Sequence, residues 1–377
     1  MPLKMPERMF VRNAWYCAGW DYHVSQGRNA LLARKIAGER VVLYRKPDGG
    51  LVCMEDRCCH RQAALSLGRK EGDCLRCMYH GIKFGPDGAC VEIPGQTKIP
   101  HKARVRTFPV VEKNNWIWVW MGEPEQADES LICFAVGYDD PDWNIKTSEM
   151  HVDANYRLEV ANLADLSHLA WVHQNTLGAG DPATVGAFTT IQDETTMLER
   201  GINTRYWIRN VPANAFLQHL FPPEARFDLH FDITMTVPCN WILHFRAFTA
   251  GSRTEGESDG ELVADTYTCQ TICPNDEHSV EYYFSWGASR TTDLPGLSDM
   301  LRETVEQAFL EDASVLEAQH ARVMEKPQHP TIDIIHDAGA GKMFWVLDRL
   351  LQAEAKAEEE AALAGAGRSA RAGAPAC

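Results

Sequence analysis

The chain has 377 residues, 45% of them hydrophobic and 24% charged. That balance excludes a disordered or fibrous protein, and the length exceeds what one core usually supports, so two domains are expected. The net charge of -15 argues against a nucleic-acid partner, because phosphate recognition needs clustered Lys and Arg.

MPLKMPERMFVRNAW lacks the apolar stretch of a signal peptide, and no later window offers the roughly 20 apolar residues of a membrane helix. A cytoplasmic protein with no membrane association is expected. In that reducing compartment the 12 cysteines would bind metal or stay free rather than pair. Cys17, Cys53, Cys90, Cys133, Cys239, Cys269 and Cys273 are scattered and read as small buried hydrophobes.

From Ala30 to Met121 short β-branched and aromatic runs alternate with turn signals. VVLYRKPDGGLVCME predicts a hairpin about Asp48-Gly49-Gly50, and RTFPVVEKNNWIWVWM another about Asn114-Asn115. Within this small all-β region, CCHRQAALSLGRKEGDCLRCMYH places Cys58 and His60, then Cys77 and His80, as C-x-H and C-x-x-H. A two-Cys, two-His zinc site is one reading. Zinc pairs, however, usually arrive as C-x-x-C with closely spaced histidines, whereas here each short turn donates one thiolate and one imidazole. Two Cys on one iron and two His on the other is the donor set of a Rieske [2Fe-2S] centre. Cys59 and Cys74 break that spacing and read as bystanders.

CCHRQAALSLG, CMYHGIKF and GACVEIPG together resemble the Rieske domain of the aromatic-ring oxygenases, including the glycine after the second histidine. Cys59 stands where that family usually has proline, and Ile82 where it usually has tryptophan; neither replaces a ligand.

Residues 122–150 are acidic with little periodicity and suit a connector. NLADLSHLAWVHQNTLG follows, with Asn162, Asp165, His168 and His173 as N-x-x-D-x-x-H-x-x-x-x-H, which resembles the mononuclear-iron motif of the same oxygenases. Two histidines and one carboxylate with open positions is the donor set of non-haem Fe(II) oxygenases. In a regular helix residues five apart point about 140° away from each other. A helix break or π-type widening within Leu169 to Val172 is therefore expected. Two partly buried histidines in an ordinary helix is the alternative. Asp165, three residues before His168, is placed to accept its other ring N–H.

From about 186 to 290 strands such as TRYWIRNV, RFDLHFDITMTV, NWILHFRAF and SVEYYFSWGA predict an antiparallel sheet. A helix from Leu297 to Met324 carries the apolar stripe Leu301, Val305, Phe309 and Leu316. Glu311 and Asp312 are the candidate third ligands; Asp312 lies within the stripe and Glu311 on the wetter side, and a core-facing carboxylate must be paired or metal-bound. The family also has an aspartate in this context. A second amphipathic helix begins near Lys342, and the final residues read as disordered.

The resemblance spans about residues 10 to 325 and, with AWYCAGW and EDASVLEAQ, is closest in kind to the homo-oligomeric phthalate and vanillate group. It implies an α+β chain: an N-terminal all-β Rieske domain (1–125), a connector (126–150), a C-terminal antiparallel-sheet catalytic domain with flanking helices (151–350) and a polar, disordered tail (351–377). It further implies a [2Fe-2S] cluster, mononuclear Fe(II), O2 as co-substrate and electrons from NADH through a flavin and plant-type [2Fe-2S] reductase, or reductase plus ferredoxin. Asp165 would bridge to His80 of a neighbouring copy in a homotrimer. The reaction would hydroxylate or O-demethylate a small aromatic, expected to be carboxylated, with Asn162, Arg205, His244 and Arg246 as candidate substrate contacts; AFLQHLFPPEARF is a candidate for the pocket wall. An electron carrier without a functional mononuclear site is the competing reading.

Overall fold

The structure, a computed structural model, describes residues 8–25, 27, 30–174, 176–177, 194–213, 217, 220–222, 224–252 and 260–372, the last eight by backbone only. The two expected hairpins are present. Glu39–Arg45 pairs with Leu51–Glu55 about the Asp48-Gly49-Gly50 turn, and Val110–Lys113 with Trp116–Trp120. Asn114 and Asn115 both take positive φ (55° and 61°), the backbone a two-residue hairpin turn of this kind demands and asparagine tolerates. All five residues of Trp116–Trp120 are buried. Each large side chain there contributes on the order of 1.5–3 kcal/mol of burial.

The front half holds three small antiparallel sheets. The back half is one seven-stranded antiparallel sheet in the spatial order Trp143–Val152, Val280–Ser289, Leu262–Pro274, Asn240–Thr249, Arg226–Thr236, Gly201–Pro212, Glu194–Leu198. Its first strand begins at Trp143, so it claims residues assigned to the connector. Only Ile145 and Val152 of that strand are buried, which is why its alternation was weak in the sequence.

Helices pack on one side: α1 (Tyr156–Ala164), the single turn α2 (Leu169–Val172), α3 (Leu297–Glu325) and α4 (Ala338–Ala372). The tail expected to be disordered from 351 instead continues α4 through Ala372. AEAKAEEEAALA is rich in the strongest helix formers, and composition alone cannot distinguish a solvated helix from coil. The N-terminal segment leans on this helix: the backbone N–H groups of Arg12 and Asn13 donate to the Glu354 carboxylate, and Arg8 pairs with Glu358. All seven scattered cysteines are buried.

Candidate metal centres

Two backbone turns of the same design present the first donor set. One follows strand Leu51–Glu55; the other joins Cys74–Arg76 to Lys83–Phe84. In each, the cysteine N–H donates to the carbonyl five residues on (Cys58 to Ala63, Cys77 to Ile82, both 2.8 Å). The residue four on returns the bond to the cysteine carbonyl (Gln62 3.0 Å, Gly81 2.9 Å). That fourth residue is left-handed in both turns, at φ 59° and 75°. At Gly81 a Cβ would also sit 2.8 Å from Pro94 Cγ, so the second turn needs glycine.

The turns bury Cys58 and Cys77 and expose His60 and His80, whose rings lie 4.6 Å apart. Burial pushes the Cys58 thiol up to about 11, so only a bound metal would hold it as thiolate. His80 is held below its ordinary value, by desolvation first and then by His60 and Arg61, which favours the neutral, ligating form. One thiol and one imidazole from each turn is a donor set that fits a Rieske cluster. Cys59 is exposed and Cys74 lies half-buried in its strand.

The second set is assembled across the fold. Asn155 caps α1, its side chain accepting from the Arg157 N–H at 3.0 Å, and the helix stops at Asp165, which is extended (φ -126°, ψ 101°). The Asp165 carboxylate accepts from the Ser167 N–H at 2.8 Å and so starts a new turn, Leu166–His168, that runs into α2. His173 then leaves the helix at φ -101°, ψ 38°. The expected break or widening within 169–172 is therefore absent: those four residues are α-helical, and the departures lie at Asp165 and His173. With His173 outside the helix, the two imidazoles meet at 5.3 Å between ring centroids without any widening.

α3 supplies the carboxylate. Asp312, in the apolar stripe and 5% exposed, lies 3.6 Å from His168 Nε2 and 3.2 Å from His173 Nε2. The ligating atoms of His168, His173 and Asp312 all fall within 4.8 Å of one another. Each histidine's other nitrogen is occupied. His168 Nδ1 meets the Asp165 carbonyl and His173 Nδ1 meets Glu311 at 2.9 Å. A carbonyl or an ionised carboxylate only accepts, so each Nδ1 carries a proton, and Nε2, the atom facing Asp312, is the one the neutral ring would offer to a metal. This is the set of atoms a divalent iron would take, with ring orientations fixed in advance.

Two expectations change here. Asp165 reaches His168 through its backbone carbonyl, while its carboxylate accepts from the Ser167 N–H. Glu311 does not simply face water: it holds His173 and also accepts from Thr176 Oγ1 at 2.8 Å. Asn162, a candidate substrate contact, donates from Nδ2 to Asp312 Oδ1 at 3.0 Å and also borders the cavity. The need of a ligating histidine for an outer carboxylate was the signal that could have found Glu311.

The charges are balanced unevenly. Burial lowers His168 below its ordinary value, with Asp312 opposing. At His173 burial also pulls down, but the Asp312 and Glu311 carboxylates outweigh it and the ring is held above its ordinary value. Behind the site the α1 side chain Glu159, 2% exposed, is raised to about 8 by burial first and by Asp312 second.

The other substrate candidates do not reach this site. Arg205 is exposed and pairs with Asp232 at 2.8 Å, His244 pairs with Asp265 at 2.7 Å, and Arg246 Nη2 meets His230 Nδ1 at 3.1 Å. His244 and Arg246 share a face of their strand, as expected, but the cavity beside the metal ligands is lined from that strand by Trp241, Leu243 and Phe245. With a period of two, the even-numbered pair must point the other way. Of 215–227, residues 215–216, 218–219 and 223 lie outside the described residues, and none of the described ones lines the cavity.

Residues 14–109 match the family described as Rieske [2Fe-2S] domain, and residues 152–353 match the vanillate O-demethylase oxygenase C-terminal domain. The iron-sulfur subunit of a toluene-4-sulfonate monooxygenase system from Comamonas testosteroni is 38% identical, covering 92% of this chain and 98% of that protein. A vanillate O-demethylase oxygenase subunit from a Pseudomonas species is 29% identical over 94% of this chain and 99% of its own length. Among solved structures, dicamba monooxygenase bound to 3,6-dichlorosalicylic acid superposes with a TM-score of 0.81 at 30% identity, covering 92% of this chain and 99% of that one.

Proposed function

The chain belongs to the Rieske oxygenases of the vanillate O-demethylase group, and from that membership we propose that His168, His173 and Asp312 hold the mononuclear iron. There, O2 would be used to hydroxylate or O-demethylate an aromatic ring. The family places the chain as the oxygenase component of a multicomponent system, with a reductase or ferredoxin as electron donor. The finer reading is a flavin and plant-type [2Fe-2S] reductase fed by NADH in the cytoplasm, and a homotrimer in which Asp165 links the mononuclear site to a cluster histidine of a second copy. Cys58, His60, Cys77 and His80 would hold the cluster.

One observation carries this reading: two Nε2 atoms and a buried carboxylate converge within 4.8 Å beneath an apolar cavity. A bound iron there would supply O2 activation. The chain's own residues do the rest. The Asp165 carbonyl and Glu311 keep both Nδ1 protons in place, so the Nε2 atoms stay available as donors. Asn162 holds one oxygen of Asp312. Leu166, Leu169, Val305 and Phe309 keep water from the reacting face. The cavity outlined by the described residues measures about 90 Å3. A dry apolar cavity of roughly 150 Å3 admits benzene, so this smaller space holds at most a single ring.

The test is His168→Ala in the full chain with a surrogate reductase. Product formation should vanish while the visible absorption of the [2Fe-2S] cluster is unchanged. Undiminished turnover would remove His168 from the iron site.

A further inference from the structure

Strand Leu262–Pro274 lies inside the seven-stranded sheet, between Asn240–Thr249 and Val280–Ser289. On the face that meets the cavity its neighbours present Trp241, Leu243, Phe245 and Trp286, all of them lining residues. In register with these, the strand itself presents Gln270, Thr268 and Thr266. All three are buried. A polar side chain buried on an apolar face costs free energy unless it finds a partner.

The three side chains differ in how they meet that cost. Gln270 accepts from the Tyr282 hydroxyl. Thr266 Oγ1 is sealed and has no partner among the described residues. Thr268, 3% exposed, makes no side-chain hydrogen bond to a described residue either, but it borders the cavity and Thr266 does not. It is the one hydroxyl among the described lining residues. The other polar groups of the lining have work already: the Trp241 indole N–H donates to the Leu163 carbonyl at 2.9 Å, and Asn162 Nδ2 to Asp312 at 3.0 Å. The candidate iron ligands come from the helical side of this cavity and Thr268 from the sheet side. A single ring between them meets both.

We infer that Thr268 anchors the substrate, its hydroxyl donating to an oxygen substituent on the ring: a carboxylate, sulfonate, phenol or ether oxygen. The inference rests on the oxygenase reading above. Leu243 and Trp286, the cross-strand partners of Thr268, pack against the ring, and the hydroxyl fixes which edge of it turns to the sheet and so which edge meets the iron ligands. A site that hydrogen-bonds a substrate oxygen rejects the analogue lacking it, because the site's own polar group is then left unpaired.

The experiment is isothermal titration of the iron-loaded enzyme with toluene-4-sulfonate, 4-methoxybenzoate and methoxybenzene, and with ethylbenzene as a hydrocarbon of the shape of methoxybenzene. Thr268→Val, which keeps the branched shape and removes the hydroxyl, should weaken the oxygen-bearing probes about tenfold, a difference of about 1.4 kcal/mol. It should leave ethylbenzene unchanged. Thr268→Ser should restore most of the loss, and Thr266→Val, which removes the sealed hydroxyl, should alter none of the four. The probe that loses most identifies the oxygen, anionic for the sulfonate and carboxylate, ether for methoxybenzene. Equal affinity of the parent and Thr268→Val for every oxygen-bearing probe, an equal loss for ethylbenzene, no recovery in Thr268→Ser, or no binding of any oxygen-bearing probe to the parent would overturn the inference. A product assay separates the two claims. Probes oxidised by Thr268→Val with the kcat/KM of the parent would sink the anchor and keep the oxygenase; hydroxyl-dependent binding with no oxidation of any bound ring would do the reverse.

Discussion

The two candidate metal centres are built by opposite means. Cys58, His60, Cys77 and His80 lie within one 23-residue window (58–80) and are held by two copies of the same backbone turn, with the thiols buried and the imidazoles at the surface. His168, His173 and Asp312 come from a broken helix and from a helix about 140 residues further along, and Asp312 is nearly sealed from solvent. Each construction suits its task. A centre that exchanges electrons with another protein needs an exposed edge, whereas a centre that activates oxygen beside a substrate needs water excluded and its ligands oriented in advance. Local hydrogen bonds suffice for the first; the second depends on how α1, α2 and α3 pack.

That contrast is sharpest when one centre is removed alone. Cys77→Ser should abolish the cluster, and iron analysis should then find the mononuclear metal retained; loss of both metals would mean that the second centre depends on the first. A smaller effect is expected from Glu311→Gln. It keeps every ligand but withdraws the charge behind His173, so mononuclear iron affinity should fall by roughly 10- to 100-fold while cluster absorption stays constant. An unchanged iron titration would reduce Glu311 to a neighbour of Thr176.

The smallest effect concerns Glu159. Its folded pKa, about 8, lies above the ordinary carboxylate value of 4.5. Between those values the folded state binds the extra proton, so stability falls as pH rises through that window, by at most about 1.4 kcal/mol per pH unit. Glu159→Gln should flatten denaturant midpoints between pH 5 and about 8. A slope equal to that of the parent would place the titrating group elsewhere.

The same contrast explains what the sequence reveals. The turns of the first centre are short-range, so spacing and the glycine after His80 expose them directly. Asp312 was legible because a carboxylate interrupting Leu301, Val305, Phe309 and Leu316 has to be accounted for. The position of the helix break was not, since it depends on the Asp165 carboxylate accepting from the Ser167 N–H while its carbonyl meets the His168 ring. Glu311 does lie on the wetter side, its side chain 21% exposed against 8% for that of Asp312, but its bond to His173 was not legible, because that neighbour is brought up only by the fold. NWILHFRAF shows that His244 and Arg246 share a face, but period-two alternation cannot say which face meets the cavity when aromatic residues occupy both. Tyr267, for instance, stacks on His244 on the charged side, and Trp143 meets both rings edge-on.

The central claim is that one chain carries two unlike iron centres, and quantitative iron and acid-labile sulfide analysis of the parent and of a His168→Ala/Asp312→Ala double variant tests it most directly. The account predicts three irons and two sulfides per parent chain, and two of each in the variant, the number a [2Fe-2S] centre holds. Two irons in both proteins, or zinc in place of the cluster, would contradict it.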